Sequence, residues 1–349
     1  MSGERARSRR EWNVRTIRTS TILLLLIWAA LAPVPASALG PEQLALIVNT
    51  ADPYSVEIGA YYVRRRGIPP GHVIFITLPV GQDAISRPDF EIARAVVEAR
   101  LPATVQALAL AWTTPFRVDC LSITTAFAFG FDPAFCAEGC RPTRRSAYFN
   151  SPSRAPFSDL ALRPAMLLAG QSVAEGKTLI DRGIAADSTF PDGTAYLLST
   201  SDRARNTRAA GYALLDRVKP GVRVERLDAD ELRDRRDVLF YFTGLATVAG
   251  LETLRFRPGA IADHLTSAGG VLTGHGQMSV LRWLEAGATA SYGAVTEPCN
   301  FTTKFPLPAV AIARYTRGET VLEAYWKSVA MPGQGVFVGE PLAAPFRAR

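Results

Sequence analysis

The sequence predicts an α/β fold, a doubly wound and mostly parallel sheet with helices on both faces. Three observations carry this. Short apolar runs, the first being Leu44–Asn49 (LALIVN), recur between stretches whose apolar residues follow a helical period. The first two runs bracket a helix to give strand, helix, strand within about 35 residues, a βαβ unit with a parallel pair and a right-handed crossover. The chain has 349 residues, 48% hydrophobic and 20% charged, enough to bury a large core.

The elements follow in order. After LALIVN, Thr50-Ala51-Asp52-Pro53 turns the chain. Ser55–Arg66 has Val56, Gly59, Ala60 and Val63 at helical spacing, with Gly67 as its stop. Pro69-Pro70-Gly71 leads into a second strand, His72–Leu78. Pro88–Arg100 reads as a helix with Phe90, Ala93, Val96 and Val97 on one side, and Ala107–Trp112 as a third strand. From 113 to 162 periodicity is lost in a mixture of aromatic, Ser, Thr, Pro and Cys residues. A segment this long is read as an inserted loop region, ordered by its aromatics and stapled by its cysteines.

Beyond it, Arg163–Gly170 is a short apolar segment, and Val173–Ala186 a helix with Lys177, Arg182 and Asp187 outward. Thr194–Thr200 is a strand, followed by the polar turn Ser201-Asp202-Arg203 and a helix over Arg208–Val218. Val238–Gly244 (VLFYFTG) is the strongest strand by β-branched and aromatic content. In the stretch from Asp263 to Phe305 a loop precedes a short helix carrying Leu281, Trp283 and Leu284. The buried strand Ala288–Val295 and a polar turn with Glu297, Cys299 and Asn300 come next. Glu319–Val329 is the last helix, and the Pro- and Gly-rich tail, 332–349, is expected along the surface.

The first 38 residues stand apart. An Arg-rich start (Arg5, Arg7, Arg9, Arg10, Arg15, Arg18) precedes the apolar run Ile22–Ala32, and Ala36-Ser37-Ala38 is an A-x-A cleavage pattern. This reads as a signal peptide cut after Ala38, with 39–349 as a single domain. An apolar run of about 11 residues is short of the roughly 20 that span a bilayer, so no stable membrane span is expected after cleavage. Setting aside six of the 39 basic and two of the 32 acidic residues leaves 33 against 30, a net charge of +3. No basic stripe with interleaved aromatics is present, which argues against nucleic acid. The expected location is periplasmic or secreted.

Four cysteines remain, Cys120, Cys136, Cys140 and Cys299. An even count in an exported chain suggests two disulfides, and three pairings are open. Closeness in sequence favours Cys136–Cys140 with Cys120–Cys299, the long bridge tying the inserted segment to the C-terminal turn. A zinc site would need a nearby histidine that is missing, so no metal is expected. P-loop, G-x-S-x-G, GxGxxG and H-E-x-x-H motifs are absent from the sequence, and no cofactor is expected.

Two resemblances can be drawn on these residues. LALIVN with its helix and HVIFITL, VLFYFTG, and SVLRWLEAGATASYGAV with ETVLEAYWKSV together resemble the caspase-like peptidase superfamily, in its gingipain and CHAT-type branches. NTADPYSVEIGAYY, CLSITTAFAFGFD, TSDRARN, GAIADHLTSAGG and EPCNFTTKFP are similar to an uncharacterised family of exported bacterial proteins that co-occurs with the exosortase / PEP-CTERM sorting system. The first resemblance implies a Cys–His dyad at two strand ends. The positions do not carry it. Phe242-Thr243-Gly244-Leu245 stands where a His-Gly turn is expected, and His264-Leu265-Thr266-Ser267-Ala268-Gly269 stands where the nucleophilic cysteine is expected.

The site candidates follow from position. Cys299 could act as a displaced nucleophile beside Glu297, with His264 or His275 as base, given a lowered thiol pKa and hydrogen-bond reach. The bland reading of Cys299 is half of a disulfide. His275, between Gly274 and Gly276, follows the wrong segment for the His-Gly motif and reads as a loop residue. Asp52, Asp202, Arg203, Asp263 and Asn300 sit at or near strand ends, where α/β sheets place ligands. Their bland readings are turn, cap and salt-bridge roles. The expected function is a non-catalytic binding or accessory protein of the bacterial envelope, linked to exosortase-dependent sorting or export, whose partner is an envelope protein or peptide. The alternative is a cysteine peptidase or transpeptidase with a rearranged Cys299/His264 site.

Overall fold

The computed structural model describes residues 38–137, 139–218, 221–274 and 276–348. The expected leader, up to residue 37, and His275 lie outside the described residues.

LALIVN forms β1 (Leu44–Asn49), and Asp52 caps α1 (Pro53–Arg66) by accepting from Tyr54 N at 2.9 Å. Pro53 at the first helical position starts this helix two residues earlier than the periodicity alone suggests. Gly67, at φ 66°, ends it in the left-handed conformation. Then come β2 (Val73–Ile76), β3 (Ala84–Ile85), α2 (Arg87–Glu98) and β4 (Ala107–Leu110). The segment after β4 holds more structure than a loop: β5 (Arg117–Val118), β6 (Leu121–Ser122), α3 (Ile123–Phe129) and α4 (Pro156–Leu160). β3, β5 and β6 make a small second sheet. Its short α3 is buried almost throughout, because its seven residues are apolar or threonine.

The second half runs β7 (Ala165–Leu167), α5 (Val173–Ala186), β8 (Thr194–Ser199), α6 (Leu215–Val218), β9 (Arg223–Asp228), β10 (Val238–Thr243) and β11 (Phe256–His264). α7 (Leu281–Ala286), β12 (Ala290–Ala294), α8 (Pro308–Tyr315), α9 (Val321–Ser328) and β13 (Gly335–Gly339) complete it. The helix expected over Arg208–Val218 is mostly a 3-10 helix, Asn206–Leu214, before the single turn of α6. Arg182, expected outward on α5, instead reaches across to the carbonyl of Leu284 at 3.0 Å and is half-buried.

Ten strands form one sheet in the order β2-β1-β4-β7-β13-β12-β11-β10-β8-β9. The neighbours within β2-β1-β4-β7 are parallel, as are those within β12-β11-β10-β8-β9. β13 sits between the two blocks, antiparallel to β12 from Ala290↔Gly339 to Ala294↔Gly335, and meets β7 at Val338–Leu167. The C-terminal segment expected on the surface therefore supplies a central strand, with Val336, Phe337 and Val338 fully buried. Its glycines are required by the close approach of β12. A Cβ on Gly335 would lie 1.8 Å from the Tyr292 hydroxyl, and one on Gly339 would lie 2.5 Å from the Ala290 Cβ.

Alternation sorts the strands into two apolar layers. Ala45 and Ile47 of β1, with Leu108 and Leu110 of β4, face α2 and α7 through Phe90, Ala93, Leu281 and Trp283. Leu44, Leu46 and Val48, with Ala107 and Ala109, face α1, α8 and α9 through Ile58, Tyr62, Ile312 and Trp326. Side chains two apart share a face, so a continuous apolar run serves a sheet covered on both sides. Burying each large apolar side chain is worth about 1.5–3 kcal/mol.

Two disulfides staple the inserted segment. Cys120 pairs with Cys136 and Cys140 with Cys299, so the pairing favoured from sequence distance is wrong in both halves. Phe135, next to Cys136 in sequence, is buried and stacked on Phe129 at 4.5 Å. The expected tie between the inserted segment and the C-terminal turn is present, made by Cys140. No free cysteine occurs among the described residues, and no helix there is long and apolar enough to cross a membrane.

Candidate functional site: a cleft over the strand ends

The chain leaves β1, β4 and β7 through Asp52, Thr113 and Gly170, and leaves β10 toward Thr247. All four line one open cleft of about 870 Å3, together with residues 272–274 and 276–279 and the start of α7. A smaller hollow of about 490 Å3 adjoins it, lined by Asp83, Arg117, Ser267, Thr296 and Glu297. Gln277 borders both. Ligands of open α/β sheets bind in such crevices beyond the carboxyl ends of strands.

A hydrogen-bonded relay holds this surface. Asp202 Oδ2 accepts from Arg205 Nη1 at 2.8 Å, and Arg205 Nε donates to Thr266 Oγ1 at 2.9 Å. Thr266 Oγ1 donates to Gln277 Oε1 at 2.7 Å, which also accepts from Ala268 N at 2.8 Å. The relay ties the turn after β8 to the turn after β11 and to the cleft loop. Close backbone packing fixes the same turns. A Cβ on Gly244 would lie 2.0 Å from the Arg205 carbonyl, and one on Gly270 would lie 2.3 Å from that of Gly293. Across the mouth, Thr113 Oγ1 donates to the Gly170 carbonyl at 2.7 Å and Tyr54 Oη to that of Leu168 at 3.0 Å. Burial pushes the Tyr54 hydroxyl far above its ordinary range, so it stays a neutral donor.

The sequence candidates fall into separate places. Thr243 of β10 pairs with His264 of β11, so the two strand ends expected to carry a dyad are neighbours. The histidine there is locked. His264 is fully buried, its Nδ1 accepts from the Trp283 indole at 2.9 Å, and its Nε2 lies 3.1 Å from the Met278 carbonyl. Nδ1 is therefore the acceptor and Nε2–H the donor. Burial drives the His264 pKa down to about 3, holding it neutral. Neither nitrogen is free to take a proton from a thiol, which removes His264 as base. Cys299 has its sulfur in the bridge to Cys140, which removes it as a standing thiolate, and its backbone N–H donates to Glu297 Oε1. Glu297 is exposed and borders the smaller hollow.

Asp263 does not reach the cleft. It is fully buried, ion-paired with Arg208, and accepts from Tyr325 Oη at 3.2 Å. Burial raises its carboxyl and the guanidinium opposes this. Asp52 both caps α1 and borders the cleft. Arg203 lines a separate shallow depression with Ser199 and Asn206. Asn300 is exposed in the turn after β12. The cleft residues that sequence reasoning passed over are Thr113, Gln277 and Arg282. Gln277 follows the Gly-His-Gly run directly, the one local signal that pointed near it.

Chemically the main cleft is nearly uncharged, and Val80, Leu272, Met278 and Leu281 give its wall a substantial apolar share. Asp52 and Arg282 are its charged side chains among the described residues, and Arg282 already pairs with Glu285. Hydroxyls, amides and glycines make up most of the remainder. No group of three or more His, Cys, Asp or Glu that could hold a metal occurs among the described residues.

No family model matches the sequence, and no curated protein matches it. A solved structure described as "Structure of Protease" is similar to this chain over 88% of its length and 79% of that chain, at 11% sequence identity and a TM-score of 0.47. What this chain itself displays is a mixed α/β fold with a large, mostly parallel central sheet and two disulfides.

Proposed function

We propose that this chain is a non-catalytic binding protein of the bacterial envelope, and that its ligand is a neutral, extended peptide segment of another envelope protein lying in the cleft over the strand ends. One observation carries the reading. At the strand ends where the resembled peptidases place a dyad, the histidine has both nitrogens committed in the core, and the four cysteine sulfurs are bridged. The cleft beside those strand ends is nonetheless open and held in shape. A wall that mixes hydroxyls and amides with the apolar side chains of Val80, Leu272, Met278 and Leu281 suits a peptide's backbone and uncharged side chains and gives little to a charged ligand. Two disulfides accord with an oxidising compartment. The link to exosortase-dependent sorting rests on the sequence resemblance alone.

The test is direct. Oxidised protein without its leader is titrated with peptides from co-exported proteins, followed by calorimetry and by amide shifts in NMR spectra. Saturable binding that maps to Thr113, Gln277 and Arg282, with the peptide recovered intact, supports the reading. Peptide cleavage that disappears in Cys299→Ala while that variant stays folded overturns it in favour of the cysteine-peptidase alternative.

A further inference from the structure

The apolar layer beneath α9 contains a carboxylate without a side-chain cation. Glu323, in the first turn of α9, is fully buried. Its Oε2 accepts from Thr320 N at 2.9 Å and Thr320 Oγ1 at 3.0 Å, closing a capping box. Its Oε1 has no hydrogen bond among the described residues. The neighbouring Glu319 is well supplied, by Lys327 at 2.9 Å and Arg314 at 3.5 Å. No lysine, arginine or histidine forms a direct ion pair with Glu323 among the described residues, although Lys327 and Arg347 act on it from farther away. An isolated buried carboxylate is costly, and such groups are normally paired.

The remaining partner is the backbone nitrogen of Leu39, 3.3 Å from Glu323 Oε2. Leu39 is 1% exposed, and Arg347 holds its carbonyl. Gly40 N donates to Gln43 Oε1 at 3.2 Å, fixing the chain just downstream. In an uncut chain the Leu39 nitrogen is a neutral amide. The A-x-A pattern ending at Ala38 places the cut at this peptide bond.

We propose that cleavage after Ala38 turns the Leu39 nitrogen into an α-ammonium group, and that buried Glu323 is the carboxylate built to receive it. Hydrolysis of the Ala38–Leu39 peptide bond adds one water. The hydroxyl goes to the Ala38 carboxyl, and the new amine takes up a proton. The mature chain then gains a buried ion pair that the precursor cannot form, added to an α9 that is already packed in the uncut chain. Burial pushes the Glu323 carboxyl up, while the ammonium favours its ionised form. Lys327, Arg347, Glu319 and the buried Tyr148 hydroxyl complete the charged and titratable groups acting around the site.

This proposal stands apart from the cleft. Its test begins with the exported protein, whose first residue is read by intact mass and N-terminal sequencing. Leu39 is expected, and any other start overturns the proposal. The folded Leu39-start protein is then treated with an amine-acylating reagent near neutral pH. Its α-amine should react about 100-fold or more slowly than in urea, because access requires opening a buried ion pair. Reaction at the denatured rate overturns the proposal. A chain beginning at Ala38 keeps an amide at Leu39 and should melt several degrees lower than the Leu39-start chain. Equal melting would also overturn it. That comparison holds even where Glu323→Gln fails to fold. Where Glu323→Gln does fold, it should remove most of the difference between the two starts.

Discussion

Compared with the cleft over the strand ends, the layer beneath α1, α8 and α9 holds far more charge. Arg66 ion-pairs with Asp187 and with Glu340, which is fully buried and also accepts from Tyr62 Oη at 2.7 Å. Arg208 with Asp263, and Lys327 with Glu319, add two more inward pairs. The cleft offers Asp52 and Arg282, and otherwise uncharged hydroxyl, amide, glycine and apolar residues. Perturbed titrations usually guide a reader to a functional site. Here they guide toward the architecture, since Glu323, Asp263, His264 and Lys327 are all displaced by burial and all stand behind the site. The charged side chains join elements distant in sequence, and the neutral ones are left facing water.

The comparison is broken most severely by removing one member of a buried pair. Arg66→Ala strands Glu340 and should cost about 3–5 kcal/mol, read from urea unfolding. If the cost is below 1 kcal/mol, the inward charges are not structural. Opening the Cys140–Cys299 bridge, as Cys140→Ser with Cys299→Ser, removes a covalent tie across 159 residues. It should cost about 2–5 kcal/mol, measured the same way against the oxidised parent.

His264 sharpens the contrast through pH. Its folded pKa, down to about 3, lies below the unfolded value of about 6.5. The unfolded chain therefore binds more protons between these values. Stability from this group is fully present above about pH 6.5 and is lost as pH falls toward about 3. His264→Phe should flatten that part of the stability–pH curve. It should also cost about 1–3 kcal/mol at neutral pH, by leaving the Trp283 indole and Met278 carbonyl unpaired. The smallest effect on stability belongs to the cleft. Thr273→Trp, at an exposed lining position, should change unfolding free energy by no more than about 0.5 kcal/mol and still abolish peptide binding.

Much of the fold was legible because its strands are buried on both faces and so read as continuous apolar runs. Leu44–Asn49 and Val238–Thr243 are the clearest. β9, RVERLD, was hidden for the opposite reason: it is an edge strand whose side chains are mostly exposed, so no apolar run marks it. β13 was hidden because a three-residue apolar run, Val336–Val338, set between two glycines looks like a tail, and only Tyr292 and Ala290 across the ladder explain those glycines. At the site, the placement of Asp52 beyond a strand was readable. The role of Gln277 was not, since it depends on Thr266 and Ala268, which only the turn after β11 brings near. The disulfide pairing failed on sequence distance because the fold, not closeness along the chain, brings cysteines together: Cys140 and Cys299, 159 residues apart, have Cα atoms 5.5 Å apart.

The central position of β13 orders events in time. A chain that emerges amino end first, from a ribosome or through a translocation pore, delivers β1, β4 and β7 early and β8 to β12 later. The facing edges of β7 and β12 stay unpaired until Gly335–Gly339 arrives. Two half-sheets wait for one strand that both require, so the native hydrogen-bond ladder closes only after β13 is out. A chain lacking Gly335–Gly339 would then have two open edges, each free to pair with another chain.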